Sequence, residues 1–595
     1  MTRPTSANSP TASVAEAGSV EAPAAGVRPL AAGALRPPDA ERLLLGAAAL
    51  YVLVFCALPL VRLFAEAVLL GGEGLVLTRE VFSSRFTRAA IWHTLEAGLG
   101  ATAVSLLLGT ATALAVGLTD LRAKGVLVFL LIMPLLIPAQ ISALAWLELV
   151  GPASPLWQLP GLSYPQGLRN PLYSREGIVL LMGIEHAPMV FLAVRAGLRG
   201  MPGDLVEAAR AAGAGPGRIT ATIVLPLLRP SLVAGGALAF VAAIGNFGVP
   251  ALLGIPGRYT MLTTLIYQRL NGFGPSVLGE VAILAFVLAL FAAAGLWVQA
   301  RAGRGARIAV ERGGRPLAPF ALGERRLWLE APLWLLLVGI AILPLVALVS
   351  TSLIPAIGVP LTWETATLGQ FRDVLFGADA TRRAFVNSFL LAAGAAGLSL
   401  AAAVPLAWFA VQRRSRIARA LDLVADAPFA LPGIVLSIAC ILVYLRPLPV
   451  LEVSIYNTFW ILLVAYLGRF LAVALRPAAA GMAQLDAALD EAARIAGAGG
   501  LRRLATIVLP SVAPSAAAGA LLVFLLAFNE LTVSALLWST GNETLGVVVF
   551  SLYDEGNATA AAAVAVLSVI ATFAVAGLAS LTARRLPHGV LPWQA

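Results

Sequence analysis

Charge is what this 595-residue chain has least of: Asp, Glu, Lys and Arg together supply 12%, where a water-soluble domain carries about 25%. A wetted globular surface cannot be built from so few charges. Lysine is almost missing, Lys124 being the only one. A phosphate-binding loop of the form G-x-x-x-x-G-K-[ST] needs that residue, and Lys124 follows Ala123, so the chain has no such loop. The three histidines, His93, His186 and His588, are scattered without metal-ligand spacing, and no metal site is expected. Cys56 and Cys440 each sit inside an apolar run, which leaves no disulfide framework. No nucleophile–His–acid set is visible, so no catalytic residue is expected and an intramembrane enzyme is the weaker class.

What is abundant is oil. Apolar residues make up 59% of the chain and mean hydropathy is +0.89. Only lipid can satisfy that surface, and the same richness excludes disorder over most of the length. The net charge of +10 needs no nucleic acid, because basic residues gather in the cytoplasmic loops of membrane proteins. Spanning takes about 20 apolar residues as a helix. Runs of that kind fall near 43–64, 89–117, 125–150, 177–199, 230–254 and 277–300, then near 327–352, 385–411, 419–444, 458–476, 514–538 and 560–583. The expected fold is an all-α polytopic membrane protein of about twelve transmembrane helices. Pro134 and Pro138 in the third run, and Pro428 and Pro432 in the ninth, predict kinked or partly broken helices. Residues 1–41 are rich in Ala, Pro and Ser and read as a disordered cytoplasmic tail; the run after them is long enough to be a retained anchor. With the N-terminus inside, 28 of the 41 basic residues fall on the cytoplasmic side and 12 outside, with Arg469 within a span. Both termini are therefore expected in the cytoplasm.

The two sets of six are copies. Residues 207–226 and 491–510 agree at 15 of 20 positions at a constant offset of 284. The agreement runs on through Pro230-Ser231 and Pro514-Ser515, Phe240 and Phe524, and Ala251-Leu-Leu253 and Ala535-Leu-Leu537. A six-span unit gives halves of parallel topology. The expected domains are a first half at 42–300, an Arg-rich cytoplasmic linker at 301–326, a second half at 327–586 and a cytoplasmic tail at 587–595.

The best-matched stretch is a cytoplasmic loop, where repeats normally drift fastest. It reads as two short helices around a glycine turn, the first capped by Asp204 with Glu207 in capping-box position, the second running toward Pro226. Alanines with little bulk let another surface approach, Gly213 supplies a left-handed stop, and Glu207 and Arg210 offer charge at the edge.

Glu-Ala-Ala, a glycine six residues after the Glu, and a closing Ile-x-Leu-Pro resemble the EAA loop of ABC importer permeases, here present twice. The resemblance implies a type I importer permease of two fused halves. It further implies that Glu207, Ala208, Ala209 and Gly213, with Glu491, Ala492, Ala493 and Gly497, contact two copies of a cytoplasmic ATPase. ATP and Mg would be used by that partner, an extracytoplasmic binding protein would capture the substrate, and the setting would be a bacterial inner membrane. Residues 245–254, 259–267, 529–537 and 551–555 are similar to the ferric-iron type, with thiamine and aminoethylphosphonate permeases as alternatives. A stand-alone secondary transporter is the competing class, and it leaves the paired loops without a purpose.

Buried polar residues mark function by default in lipid. Glu96, Glu185, His186, Glu280, Arg469, Asn529 and Glu530 lie within spans. Asn246, Asn529 and Glu530, at matching depth in the fifth and eleventh spans, are expected to line the translocation pathway or its gate.

Overall fold

The computed structural model describes residues 37–69, 71–152, 154, 157, 164–165, 167, 169–273, 277–306, 318–447 and 452–583. The expected tail 587–595, most of 1–41 and the middle of the linker lie outside the described residues.

Helices build the whole of it, and no sheet occurs among the described residues. The first half runs α1 (Ala40–Ala67), α2 (Arg85–Leu118), α3 (Lys124–Leu136), α4 (Ala139–Val150), α5 (Arg175–Arg199), α6 (Gly203–Ala211), α7 (Pro216–Gly245), α8 (Leu262–Phe273) and α9 (Leu278–Ala302). The second half repeats that order: α10 (Gly323–Ser352), α11 (Asp379–Gln412), α12 (Arg416–Ala430), α13 (Gly433–Tyr444), α14 (Phe459–Ala483), α15 (Ala487–Ile495), α16 (Gly500–Phe528), α17 (Leu545–Asp554) and α18 (Ala558–Ala579). Ten of these helices are long and apolar enough to cross a membrane, and the bent pairs α3/α4 and α12/α13 bring the number to twelve when each counts as one span.

The breaks are sharper than kinks. The chain turns by 107° between α3 and α4 and by 109° between α12 and α13. Pro138 and Pro432 stand at the two breaks, each immediately before the next helix. A proline has no N–H to continue the ladder and forces the residue before it out of the helical region. Ile137 and Leu431 accordingly have extended backbone.

The fifth and eleventh spans differ from the hydropathy runs 230–254 and 514–538. Their helices begin earlier, at Pro216 and Gly500, and end earlier, at Gly245 and Phe528. The rest of each run forms short buried turns, Pro250–Gly254 and Ser534–Leu537. Hydropathy registers burial and cannot separate such turns from a helix. Pro226 and Pro510 end nothing, because one wide π turn, Thr220–Val224 and Leu504–Val508, precedes each and carries the helix past it.

Each half lends its first helix to the other. α1 packs on α11, α13 and α14, where Tyr51 Oη donates to the Leu467 carbonyl at 3.0 Å. Gly468 allows this approach: a Cβ there would stand 2.3 Å from the Phe55 carbonyl oxygen. In return α10 packs on α3 and α4, and Thr351 Oγ1 donates to Glu148 at 2.9 Å.

Candidate functional site

The repeated loops form α6 and α15, one at the same end of each half. Glu207, Ala208 and Gly213 are exposed and Ala209 half-buried; Glu491, Ala492, Gly497 and Ala493 repeat that pattern residue for residue. Both helices end in a glycine with positive φ, +80° at Gly213 and +77° at Gly497. Beyond it Ala214 N–H reaches back to the Ala209 carbonyl and Ala498 N–H to the Ala493 carbonyl, both at 3.0 Å, the six-residue closure of a Schellman stop. A Cβ at either glycine would meet nothing within 4 Å. Strain alone thus sets the effect of substitution: Gly→Ala is expected to cost about 1–2 kcal/mol at either site, and Gly→Val more. Limited proteolysis of the loops in the two variants checks the order.

Asp204 does not cap α6. Pro202 occupies the cap position, its fixed φ suiting the approach to a helix, and Asp204 lies inside the first turn, where a carboxylate suits the helix dipole. In the second copy Asp486 stands where Pro202 does and accepts from Ala488 N–H at 3.0 Å. Arg210 is not free at the docking edge either: it donates to the Ala318 carbonyl at 2.8 Å and lies 4.5 Å from the Phe320 ring, on the returning linker. Two residues escaped notice in the sequence. Leu205 and Leu489 are 48% and 49% exposed, at equivalent positions on the sides of α6 and α15 that carry Ala208-Ala209 and Ala492-Ala493. The offset of 284 already paired them.

The halves support these helices differently. Val206 and Ile219 are buried apolar side chains in the first; at the same offset the second has Asp490 and Arg503, paired at 2.8 Å with Arg503 only 3% exposed. Breaking a buried ion pair from one side costs about 3–5 kcal/mol, whereas replacing both members by apolar residues can be neutral. Asp490→Val, which strands the buried Arg503, is therefore expected to loosen α15 and Asp490→Val with Arg503→Ile to restore it, measured by thermal stability and protease resistance.

The expected pathway residues gather at a central junction between halves. Gly245, at the end of α7, lies against Pro432 of the second half, where a Cβ would be 3.3 Å from the proline's Cβ. In the mirror contact, Asn529 at the end of α16 accepts from Gln140 Nε2 of the first half at 2.9 Å. Each fifth-type span thus stops against the proline break of the opposite half.

Asn246, Asn529 and Glu530 are all buried there, and each is engaged. Asn246 Nδ2 donates to Glu185 at 2.8 Å and its Oδ1 accepts from Val249 N–H at 3.1 Å. Asn529 donates to Thr572 Oγ1 at 2.9 Å and accepts from Ser568. Glu530 accepts from the N–H groups of Val533 at 2.9 Å and Ser534 at 3.1 Å, with Arg469 Nε at 3.9 Å. Glu185 and Arg469 are themselves 284 apart, as are Asn246 and Glu530. One contact between the fourth and fifth spans is therefore kept in both halves with different chemistry. The other span acids are paired as well: Glu96 with Arg175 at 2.7 Å and Glu280 with Arg269 at 3.3 Å. His186 Nδ1 lies 2.6 Å from the Met182 carbonyl.

A cavity of about 520 Å³ opens between the halves at the far end of α5 from α6. Glu148, Tyr164, Tyr173, Tyr553 and Asp554 are in its wall, and no Lys, Arg or His lines it among the described residues. Phe550 forms part of its lining, and its ring centroid lies 6.0 Å from that of Phe247, the residue after Asn246.

Two fused repeats, each presenting a short exposed helix at one end and sharing a cavity at the other, fit the permease subunit of an ABC importer. The chain belongs to the family described as binding-protein-dependent transport system inner membrane component, which matches residues 105–308 and 399–587, one copy per half. It is 26% identical over 556 residues to a probable ABC transporter permease protein of Sinorhizobium fredii, covering 91% of this chain and 95% of that one. With an Fe(3+)-transport system permease protein of Haemophilus influenzae it shares 24% over 451 residues, covering 74% and 79%. A putative 2-aminoethylphosphonate transport system permease protein of Salmonella typhimurium is 27% identical over 208 residues, covering 33% and 70%. Membership makes the chain a multi-pass inner-membrane translocation subunit that works with a substrate-binding protein and an ATPase.

Proposed function

We propose that this permease carries ferric iron inward, from an extracytoplasmic binding protein docked over the cavity, and that two copies of a separate ATPase seat on α6 and α15. ATP and Mg belong to that ATPase. The observation that carries the coupling assignment is the paired exposure of Glu207, Ala208 and Gly213 with Glu491, Ala492 and Gly497 on helices of identical closure. Both chain termini then lie in the cytoplasm, on the side of α6 and α15. Iron is favoured by relatives whose names carry Fe(3+) or ferric transport over most of this chain.

The test is reconstitution of the chain in proteoliposomes with its ATPase and iron-loaded binding protein. Uptake of radioactive iron that needs ATP and both partners is the expected result. Uptake of another solute, with iron inert, would overturn the iron reading, and gradient-driven uptake without ATP would overturn the importer mechanism.

A further inference from the structure

Arg210, the single basic residue of α6, turns back on the chain itself. Its guanidinium lies 4.5 Å from the Phe320 ring and donates to the Ala318 carbonyl at 2.8 Å, so stacking and a hydrogen bond act through one planar group. Phe320 is fixed in turn to the loop between α2 and α3. Its N–H donates to the Leu118 carbonyl at 2.7 Å and its carbonyl accepts from Asp120 N–H at 3.3 Å. The Asp120 carboxylate accepts from Leu322 N–H at 3.0 Å and pairs with Arg326 at 2.5 Å. Arg326 stands in the first turn of α10, the helix that packs on the broken pair α3/α4.

The second half holds the matching corner by other means. Arg494, the counterpart of Arg210 at the offset of 284, is exposed and has no hydrogen bond or ion pair among the described residues. There the start of α1 supplies the tie: Glu41 accepts from Arg413 at 2.6 Å, in the loop between α11 and α12, and lies against Gly500, where α16 begins. Each exchanged helix thus brings its first residues to the loop corner of the half it packs on. Among the described residues, only the approach to α10 clasps the repeated helix itself by a hydrogen bond and a ring contact.

We infer that Arg210 and Phe320 are positioning residues of coupling: residues 318–326 form a strap that makes α6 and the start of α10 move as one body. A push on α6 then reaches α3/α4 along α10 as well as travelling up α7. The inference rests on the reading of α6 as an ATPase seat. A seat without its strap would still bind the ATPase and would transmit its movement poorly, which separates positioning from docking.

The full chain is reconstituted in proteoliposomes with its ATPase and binding protein, and ATP hydrolysis is read with and without the binding protein. Arg210→Ala and Phe320→Leu are each expected to lower the stimulation by the binding protein about threefold or more while the ATPase still co-purifies. Arg210→Lys keeps a cation over the ring and should retain most of the stimulation. The double variant should be no worse than either single one, because both remove the same contact. Spin labels on Ala212→Cys and Leu327→Cys read the clasp without the ATPase, both positions being exposed and the native Cys56 and Cys440 buried. A narrow distance distribution is expected in the otherwise native chain, broadened in both variants. A loss in Arg210→Ala that Phe320→Leu does not share would make Arg210 an ATPase contact and overturn the strap. Full stimulation in both variants overturns it as well. Labels that broaden in both variants, in a chain that binds no ATPase, support the clasp and overturn the coupling role of α6.

Discussion

Replacing Glu207 and Glu491 together by alanine is expected to abolish co-purification of the ATPase and to reduce ATP-driven uptake at least about tenfold, while the chain remains inserted. Both side chains are exposed among the described residues. Alanine is the best helix former, so the change removes charge without weakening α6 or α15. A loss of binding therefore reports the contact itself. Tenfold corresponds to about 1.4 kcal/mol, and contacts that dominate an interface contribute about 2 kcal/mol or more each. Single substitutions are expected to be milder, because the other coupling helix still holds its partner. Leu205→Asp with Leu489→Asp should also weaken co-purification, since these half-exposed leucines stand at equivalent positions beside Ala208-Ala209 and Ala492-Ala493. Unchanged co-purification and uptake in the double glutamate variant would remove α6 and α15 from the coupling role.

The architecture was legible because its signals are long. Twelve apolar runs and a 15-of-20 repeat survive any uncertainty of boundaries. The repeated loops were legible as helix stops down to Gly213 and Gly497, whose left-handed backbone is a local property of glycine. Tertiary choices were not. Hydropathy does not say which half a helix packs on, so the exchange of α1 and α10 is invisible until Phe55 meets Gly468. Proline predicts a break but not its angle, because the angle depends on what α4 and α13 pack against. α8 and α17, short helices folded back into the bundle, lie in stretches too polar or too brief to register as spans. The pairing of Glu185 with Asn246 and of Arg469 with Glu530 was within reach: both pairs are related by 284, but the repeat is detectable by identity only where side chains match.

That second pair carries the remaining large effect. Helix α16 is continuous for 29 residues, from Gly500, just after α15, to Phe528, a rod of ~43 Å. A displacement at α15 would act along that rod on Asn529 and Glu530. Glu530 holds three things at that point: the start of the turn Ser534–Leu537 through its bonds to Val533 and Ser534 N–H, the fourth-type span through Arg469, and, since Arg469 also donates to the Leu431 carbonyl at 3.2 Å, the proline break itself. Glu530→Leu leaves Arg469 buried without an anion and two N–H groups without an acceptor, at a cost of about 3–5 kcal/mol. Glu530→Gln keeps an oxygen for the backbone and should cost about 1–3 kcal/mol. Stability alone cannot distinguish a lock from a brace, so the decisive variant is Glu530→Leu with Arg469→Met. An apolar pair of similar size is expected to restore thermal stability. If the pair works as a gate that α16 opens and closes, uptake stays low in this double variant while ATP hydrolysis runs uncoupled from the binding protein. Recovery of uptake along with stability would make Arg469 and Glu530 a brace, and the moving part would then have to be sought in the Glu185–Asn246 contact of the other half.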